Sequence, residues 1–406
     1  MKILYICHRF PFPPKRGGKI RPFNMILHLS ASHEVTVASL VRSDAEAEEG
    51  RGIAPYCSEF HMGRVAEWVQ AARMVARLPT SVPSSMGFFY SAALARTIRR
   101  LCGERRFDLI FVHCSSVAQY VAHVKDVPKI LDFGDVDSQK WLEYGRCKPI
   151  PLNAGYWFEG IKLQGEEKRL AARFDLCTAT TRAEWDTLRG YSLGTPTDWF
   201  PNGVDADFFS PGPGPYEPDT ICFVGRMDYY PNQQCMLEFC ASTWPLLRAQ
   251  RPSLKLLIVG ADPPAKIKRL GEIPGVAVTG SVPDVRPYVQ RSALMVAPLA
   301  IARGTQNKLL ESMAMGVPVV TSPIAADGVD AVPGEHLRVA SSPSEYRDAI
   351  LGILNDATER RRLAEAGRAR MLSHHAWPSS MKRLDAIVSR CVGSFRLKTP
   401  REQLVS

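Results

Sequence analysis

The chain has 406 residues, of which 45% are apolar and 23% are charged, as is ordinary for a folded globular protein. Its net charge of +10 is spread evenly, because the first 205 residues hold 27 basic and 22 acidic residues and the remainder hold 24 and 19. Charge this dispersed gives little support to nucleic-acid binding and favours phosphorylated ligands or an anionic membrane surface.

The sequence predicts neither a targeting segment nor a membrane span. The opening MKILYICHRFPFPP is apolar for about five residues before prolines interrupt it, which is too short for a signal peptide. No run approaches the ~20 apolar residues of a transmembrane helix. The ten cysteines show no CxxC pair, so we expect no metal site among them and interpret them as reduced thiols of a cytosolic protein.

Short apolar runs alternate with helical patterns along the first half of the chain, which is typical of an α/β fold. The predicted strands cover residues 2–7, 34–40, 107–114, 129–133 and 176–180, and the predicted helices cover about 20–30 and about 156–173. Because the strands are separated by helices, we expect a parallel sheet covered on both faces.

A proline-rich segment, ADFFSPGPGPYEPD at 206–219, separates this series from a second one. The second series has predicted strands at 220–225, 254–260, 276–280, 293–298 and 317–322. We therefore predict two Rossmann-like domains, residues 1–205 and 206–375. A C-terminal helix and tail at 376–406 should return to the first domain. Ligands of such sheets bind beyond the carboxyl ends of the strands, so we expect the site in a cleft between the domains.

The stretch RGTQNKLLESMAMGVPVV, at 303–320, places cations and a carboxylate at the start of an otherwise apolar helix. Lys308 and Glu311 are three residues apart and share a helix face, so they could form an ion pair on a solvated surface. The apolar flank instead predicts that the helix lies deep. We interpret Glu311 as an acceptor for ligand hydroxyls, with Arg303 and Lys308 beside it for phosphates.

Arg226 directly follows a predicted strand in CFVGRMDYYPN and precedes a predicted helix. At this position a cation can meet a phosphate together with the N–H groups of a helix N-terminus. Taken alone, the same pattern also fits a surface arginine in a strand–helix loop.

FVGR and RGTQNKLLESMAMGVPVV together resemble the C-terminal half of glycosyltransferase family 4. Its members are retaining sugar transferases with the GT-B fold of two Rossmann-like domains. The resemblance covers roughly residues 1–372, and PNGVD at 201–205 resembles the family's domain junction. It implies that Arg226 contacts the donor diphosphate and that Glu311 holds the ribose. GDVDSQKW, FVGRMDYYPN and RGTQNK are most similar to transferases associated with the exosortase/PEP-CTERM system and its exopolysaccharide.

Two positions depart from the family pattern. Arg303 stands where the family has the first Glu of its Glu-x7-Glu motif, which normally touches the donor sugar, so the donor sugar stays open. Asn232 stands where many relatives have a lysine, six residues after the arginine. The family's phosphate lysine is therefore missing, and either Lys308 or Arg303 is expected to substitute for it.

Two features of the first half match the same family. Gly17 and Gly18, in PPKRGGKIRPF, are predicted to form a loop whose backbone N–H groups can approach a ligand closely, although a plain turn would also use them. His113 ends the predicted strand in FDLIFVHC and could be a core histidine. The resemblance implies that it acts at the sugar.

Asp135 and Asp137, in DFGDVDS, form a DxD pattern after a strand. The pair could hold a divalent metal, as in the single-domain GT-A glycosyltransferases, or could cap a helix beginning at Ser138. We favour a third interpretation, in which Asp135 lines the acceptor side of the site without a metal. The second complete α/β series argues against the single-domain fold.

The segment RVAEWVQAARMVARL, at 64–78, predicts an amphipathic helix. It is either a core helix with solvated arginines or a contact with the membrane surface. The second alternative suits an acceptor that is carried on a lipid.

The leading functional hypothesis is a metal-independent, hexosyltransferase-like glycosyltransferase without a cofactor. It would move sugar from a nucleoside-diphosphate sugar to a hydroxyl of a glycan or lipid-linked acceptor, using His113, Asp135 and Arg226 as catalytic residues. We expect a cytoplasmic protein, peripheral on the inner face of the cytoplasmic membrane. The alternatives are a GT-B nucleotide-sugar epimerase and a non-catalytic sugar-binding scaffold. A dinucleotide oxidoreductase is disfavoured, because the first strand is not followed by G-x-G-x-x-G.

Overall fold

The structure, a computed structural model, describes residues 1–14, 17–147, 149–191 and 194–398. The chain divides into two compact units. Unit 1 consists of Met1–Phe200 and the chain from Met381 onward, and unit 2 is Pro201–Ser380. The chain thus changes unit after residues 200 and 380, where the sequence predicted domain limits after 205 and 375. The predicted tail beyond residue 398 lies outside the described residues.

Unit 1 is built on a seven-stranded parallel sheet with the order β3-β2-β1-β4-β5-β6-β7. Its strands are β1 (Lys2–Cys7), β2 (Glu34–Val41), β3 (Glu59–Arg64), β4 (Leu109–His113), β5 (Lys129–Asp132), β6 (Leu176–Ala179) and β7 (Thr197–Trp199). The five strands predicted in this half are confirmed. The strands β3 and β7 at the sheet edges were not predicted, because EFHMGR is largely polar and TDW is only three residues long.

Helices cover the sheet of unit 1. They are α1 (Gly17–Ser30), α2 (Asp44–Gly50), α3 (Glu67–Arg77), α4 (Ser84–Phe88), α5 (Ala92–Glu104), α6 (Ser115–Ala118), α7 (Asp137–Cys147), α8 (Leu152–Ala171) and α9 (Arg182–Gly190). The central strands β1 and β4 are almost continuous apolar runs because both of their faces are buried under these helices.

Unit 2 is built on a six-stranded parallel sheet with the order β10-β9-β8-β11-β12-β13. Its strands are β8 (Glu217–Val224), β9 (Lys255–Val259), β10 (Val276–Gly280), β11 (Ser292–Ala297), β12 (Val319–Thr321) and β13 (Arg338–Val339). Its helices are α10 (Tyr230–Glu238), α11 (Trp244–Gln250), α12 (Ala265–Lys268), α13 (Arg286–Gln290), α14 (Asn307–Ala314), α15 (Pro323–Ala326), α16 (Pro343–Asn355) and α17 (Ala357–His374). The predicted α/β architecture of two parallel sheets with flanking helices is confirmed.

The last helix, α18 (Trp377–Lys398), begins in unit 2 and belongs to unit 1 from Met381 onward. There His28 and Asp385 lie 2.8 Å apart, and the guanidinium of Arg383 stacks over the Trp199 ring at 4.5 Å. Within the described residues, no helix has the length and apolar character that crossing a bilayer requires. The nine cysteines whose side chains are described are all free thiols.

Candidate functional site

The helix α14 in unit 2 carries Lys308 and Glu311, the residues that the sequence singled out. It is anchored by Leu309, Leu310 and Met313, which are buried in the core of unit 2, so the prediction of a deep helix is confirmed. It ends where Gly316 adopts a positive φ of 70° and donates its N–H to Met313 O at 3.0 Å. Glycine suits this position because the left-handed conformation strains other residues.

Lys308 does not pair with Glu311 as an ion pair on a solvated helix face. Its Nζ donates instead to Oδ1 of Asn232 in α10 at 2.7 Å and lies 4.5 Å from the centre of the Phe223 ring. A Cβ placed on Gly225 would come within 3.0 Å of Nζ and 2.7 Å of Asn232 Nδ2. The ammonium therefore sits directly against the backbone at the end of β8, where only glycine leaves room for it.

Asn232 holds two parts of this region together. While its Oδ1 accepts from Lys308, its Nδ2 donates to the backbone oxygen of Arg226 at 2.8 Å. The position at which many family members have a lysine is thus occupied by an amide that receives a lysine from another helix. This supports Lys308, rather than Arg303, as the cation that replaces the missing one.

Glu311 lies half-buried one turn deeper in α14, about 4.5 Å along the helix axis from Lys308. Within the described part of the chain, its carboxylate has no hydrogen bond or ion pair. Burial raises the pKa of Glu311 to about 7, and the opposing effect of Lys308 is smaller. Burial likewise lowers the pKa of Lys308 to about 8. A carboxylate kept from water without a partner is suited to accept hydrogen bonds from a ligand.

Arg226 lies at the end of β8 but is held by two carboxylates. Asp228 accepts from its Nε at 3.1 Å and from its Nη2 at 2.7 Å, and Asp262 accepts from the same Nη2 at 2.5 Å. Hydrogen bonding to Asp228 and the charges of both aspartates raise the pKa of Arg226, although partial burial opposes them. Nη1 has no hydrogen bond among the described residues, so the aspartates orient the guanidinium and leave one of its edges for an anion.

The loop before α14 presents further polar groups near the start of the helix. Gln306 occupies the cap position without a side-chain hydrogen bond to the helix, so the N–H groups of the first turn are not capped by it. Gln306 Nε2 instead donates to the backbone oxygen of half-buried Arg303 at 3.1 Å. The hydroxyl of Thr305 is buried and lacks a hydrogen-bond partner within the described residues. These groups are suited to an anion at the helix N-terminus.

In unit 1, sheet register brings three polar residues together at the carboxyl ends of β4, β5 and β6. Asp132 lies opposite His113 on one side and opposite Thr178 on the other. His113 Nδ1 is 2.7 Å from Asp132 Oδ2, and Thr178 Oγ1 donates to Asp132 Oδ1 at 2.9 Å. Arg21 of α1 adds two hydrogen bonds of 3.0 Å to the same carboxylate.

Asp132 is fully buried, and its charge is stabilised by these partners. Burial alone would raise its pKa, but the charge of Arg21 and the hydrogen bond with His113 together hold the pKa below its usual range. An ionised Asp132 accepts a hydrogen bond from Nδ1–H of His113 and so fixes the orientation of the ring, which leaves Nε2 for another partner. Gly134, with a φ of +66°, lies against the ring, since a Cβ there would be 3.3 Å from His113 Cε1.

The two aspartates of the DxD pattern differ in their surroundings. Asp135 is half-buried and accepts from Thr180 Oγ1 at 3.3 Å, whereas Asp137 is the first residue of α7. Burial and the neighbouring Asp135 raise the pKa of Asp137, although Lys140 opposes this rise. Among the residues that the structure describes, no group of three or more His, Cys, Asp or Glu side chains is arranged to hold a metal.

Gly17 and Gly18 do not form a loop, as the sequence predicted, but the first turn of α1. Both are exposed, and a Cβ on Gly18 would touch only Arg9 Cδ at 3.7 Å. Crowding within unit 1 therefore does not require glycine at position 18. The first N–H groups of a helix have no partner within the helix itself, which is the property for which the pair was singled out.

Comparison with known protein families gives a match in unit 2. Residues 218–356 match the family described as Glycosyl transferases group 1. Most of unit 2 is thus similar to a group 1 glycosyl transferase domain. Within that domain lie Arg226, Asn232, Lys308 and Glu311, so the geometry described above belongs to the matched region. The comparisons favour neither an epimerase nor a non-catalytic scaffold.

A curated relative extends the similarity beyond the glycosyl transferase domain. The phosphatidyl-myo-inositol mannosyltransferase of Propionibacterium freudenreichii subsp. shermanii is 28% identical over 222 residues. The match covers 52% of this chain and 54% of the relative, so the chain spans about half the length of that protein.

Solved structures show the fold of the whole chain. HepE of Anabaena in complex with UDP superimposes with a TM-score of 0.69 at 14% identity, covering 96% of this chain and 100% of that one. Sucrose-phosphate synthase of Thermosynechococcus elongatus gives 0.70 at 16% identity, covering 97% and 100%. The chain therefore has the GT-B fold, as the resemblance predicted.

The sequence did not reveal several residues of the two groups. Arg21 and Asp132 appeared only as members of a predicted helix and a predicted strand, Asp228 appeared in CFVGRMDYYPN without a role, and Asp262 belonged to no motif. Their roles come from contacts between distant segments, such as the 111 positions that separate Arg21 from Asp132. Among these contact residues, the sequence drew attention only to Asn232, because it stands where many family members have a lysine.

Proposed function

We propose that the protein is a retaining glycosyltransferase that moves a sugar from a nucleoside-diphosphate sugar to a hydroxyl of a glycan or lipid-linked acceptor. The observation that carries this proposal is the pairing of Lys308 with Asn232 beside the end of β8. Next to it lies the carboxylate of Glu311, which has no partner among the residues that the structure describes. A cation and a half-buried acceptor one helical turn apart suit a diphosphate and the ribose attached to it. The match to the glycosyl transferase domain and the UDP bound to the structural neighbour HepE support the same donor class.

In the proposed reaction the bond between the sugar's anomeric carbon and the diphosphate oxygen breaks, the acceptor oxygen bonds to that carbon on the same face, and the hydroxyl proton passes to the leaving diphosphate. Arg226 and Lys308, with Arg303 nearby, stabilise the charge that develops on the leaving diphosphate. The N–H groups at Gly17 and Gly18 would contribute donors to the donor substrate. We assign His113 to a hydroxyl of the donor sugar and Asp135 to the acceptor.

We further propose that protein cations, rather than a metal, neutralise the diphosphate. Turnover should then persist in excess EDTA. Loss of turnover in EDTA that is restored by Mg²⁺ or Mn²⁺ would return Asp135 and Asp137 to the role of metal ligands.

The biological setting belongs to the proposal as well. We infer a cytoplasmic enzyme, peripheral on the inner face of the cytoplasmic membrane, that serves exopolysaccharide or cell-envelope synthesis associated with an exosortase system. The sequence similarity of GDVDSQKW and RGTQNK supports the setting, and the similarity to a phosphatidyl-myo-inositol mannosyltransferase supports a lipid-linked acceptor.

The decisive experiment has two stages. A thermal-shift screen of nucleoside diphosphates and their sugars should identify one nucleotide that raises the melting temperature, because a ligand stabilises the folded state by mass action. Adding extracts of lipid-linked glycans with that donor should then release free nucleoside diphosphate. Release of nucleoside diphosphate without an acceptor, accompanied by inversion of the sugar, would contradict transfer and indicate an epimerase.

A further inference from the structure

The helix α3 of unit 1 buries polar side chains and exposes apolar ones, which is the reverse of an ordinary surface helix. Gln70 is only 1% exposed and donates to Phe88 O, while Arg73 donates to Tyr90 O at 2.6 Å. In contrast, Trp68 is 77% exposed and Val75 is 64% exposed. The interpretation of 64–78 as a core helix with solvated arginines is therefore wrong for α3, because Gln70 and Arg73 point inward whereas Trp68 and Val75 face solvent.

The first half of α8 repeats this inversion. Its charged residues Glu159 and Lys162 are buried, whereas Trp157 and Phe158 are 55% and 51% exposed. Ile161, one turn after Trp157, is exposed as well. A surface helix in water normally buries its apolar stripe, so two inverted helices in one unit indicate a face that something apolar covers.

The buried polar groups join the two helices, so their outward sides form one surface. Lys162 Nζ donates to Arg77 O at 3.0 Å at the end of α3 and lies 5.3 Å from the centre of the Phe158 ring. Glu159 accepts from Ser85 N at 2.8 Å, which ties α8 to the short helix α4 that packs against both. We call this surface the α3–α8 face; it consists of the exposed side chains Trp68, Val75, Leu78, Val82, Ile150, Leu152, Trp157, Phe158 and Ile161.

Exposed apolar side chains are more concentrated on this face than on the rest of the described surface. Nine of the 17 large apolar side chains that are exposed in the described residues lie in residues 68–82 and 150–161. The same two segments contain a single carboxylate, Glu159, and that carboxylate is buried. The face is therefore largely apolar and carries two tryptophans, on a chain whose net charge is +10. Glu67, the first residue of α3, is an exposed carboxylate next to Trp68.

We propose that the α3–α8 face docks on the interface of an anionic lipid bilayer. Tryptophan and phenylalanine partition into the headgroup region, and the scarcity of exposed carboxylates limits repulsion from anionic lipids. The positive charge of the chain adds an attraction that a neutral lipid surface lacks. This inference rests on the proposed function in one respect, because a peripheral enzyme needs a means of attachment to the membrane. The inference names the residues that make this attachment.

The test is sedimentation of the full chain with vesicles of phosphatidylcholine alone or mixed with phosphatidylglycerol, in the absence of donor and acceptor. We expect binding to the mixed vesicles and at least tenfold weaker binding after the double change Trp68→Gln with Phe158→Gln. The matched control Leu372→Gln, at an exposed leucine of α17 in unit 2, should bind as the unchanged protein does. Indole fluorescence should shift to shorter wavelength on binding, and less so in the double variant.

Three results would overturn the proposal. The first is an absence of binding to mixed vesicles at low salt, and the second is equal binding by the double variant. The third is a dimer in light scattering that the double variant abolishes, which would assign the face to a second copy of this chain. Thermal shifts with nucleoside diphosphates distinguish this failure from failure of the proposed function, because the double variant should keep them unchanged.

Discussion

Lys308 of α14 donates a hydrogen bond to Asn232 of α10, with 2.7 Å between Nζ and Oδ1. The two residues are 76 positions apart in the chain, yet they place one ammonium against Gly225 at the end of β8. The family pattern supplies a cation from position 232 itself. The pair therefore provides the same charge from a different helix, and this exchange can be tested directly.

A lysine placed at position 232 should restore the nucleoside-diphosphate affinity that is lost when Lys308 is removed. We expect Lys308→Met to weaken binding of the nucleoside diphosphate by about 1.5–3 kcal/mol, because a charge-assisted hydrogen bond to phosphate is lost. Adding Asn232→Lys to Lys308→Met should recover most of that affinity, as measured by isothermal titration. Asn232→Lys by itself should bring two ammonium groups together and lower the melting temperature. Failure of the double variant to recover affinity would show that Lys308 acts elsewhere.

Arg226→Ala should weaken nucleoside-diphosphate binding by about 1.5–3 kcal/mol and leave binding of the free nucleoside nearly unchanged. The reason is that the guanidinium is assigned to phosphate and not to the base or ribose. Asp228→Asn is the matched control, since it keeps the cation but loosens the bidentate contact that orients it. We expect a smaller loss from Asp228→Asn. If Arg226→Ala weakens binding of the nucleoside and of the nucleoside diphosphate equally, the assignment of Arg226 to phosphate is wrong.

Glu311→Ala should weaken donor binding by about 1.5–3 kcal/mol and abolish the preference for ribose over 2′,3′-dideoxyribose nucleotides. Glu311→Gln should show an intermediate effect, because the amide oxygen is a weaker acceptor. Neither change should lower the melting temperature much, since the raised pKa of Glu311 shows that its ionised form disfavours the folded state. A sharp drop in melting temperature with an intact preference for ribose would make Glu311 a structural partner of Lys308.

Donor affinity should depend on pH with a maximum between the two pKa values of this pair. Affinity should rise as pH increases through about 7, because Glu311 then becomes an ionised acceptor. It should fall above about 8, because Lys308 then loses its charge. A nucleoside-diphosphate sugar is the suitable probe, since its substituted diphosphate has no proton to lose in this range.

Single variants separate the two limbs of that profile. Glu311→Gln should remove the acid limb, and Lys308→Met should remove the alkaline limb. Because the groups interact, the apparent values belong to the pair. A flat profile over about pH 6 to 9 for the unchanged protein would contradict the assignment of both residues.

Asp132→Asn should lower the free energy of unfolding by about 3–5 kcal/mol, because it leaves the buried guanidinium of Arg21 without its counter-charge. The matched control is Thr178→Val, which removes one neutral donor to the same carboxylate and should cost only about 1 kcal/mol. Denaturant titration measures both. Similar costs for the two variants would show that the Arg21–Asp132 pair contributes little to folding.

The sequence by itself determined the α/β class, the order of the central strands along the chain and the buried character of α14. These features follow from local patterns: continuous apolar runs for strands buried on both faces, helical periodicity, and glycine after a helix. It also identified Arg226, Lys308 and Glu311, because their positions follow a strand or open a helix in a recognisable motif.

Only the tertiary structure decided which of these groups meet. The contacts Lys308–Asn232, Arg226–Asp262 and His113–Asp132–Arg21 join segments from 19 to 111 residues apart, and no local pattern encodes such separations. The structure also decided which way α3 faces. Periodicity gives a helix two faces but not their direction, which is set by the partners of Gln70 and Arg73 in the neighbouring segment.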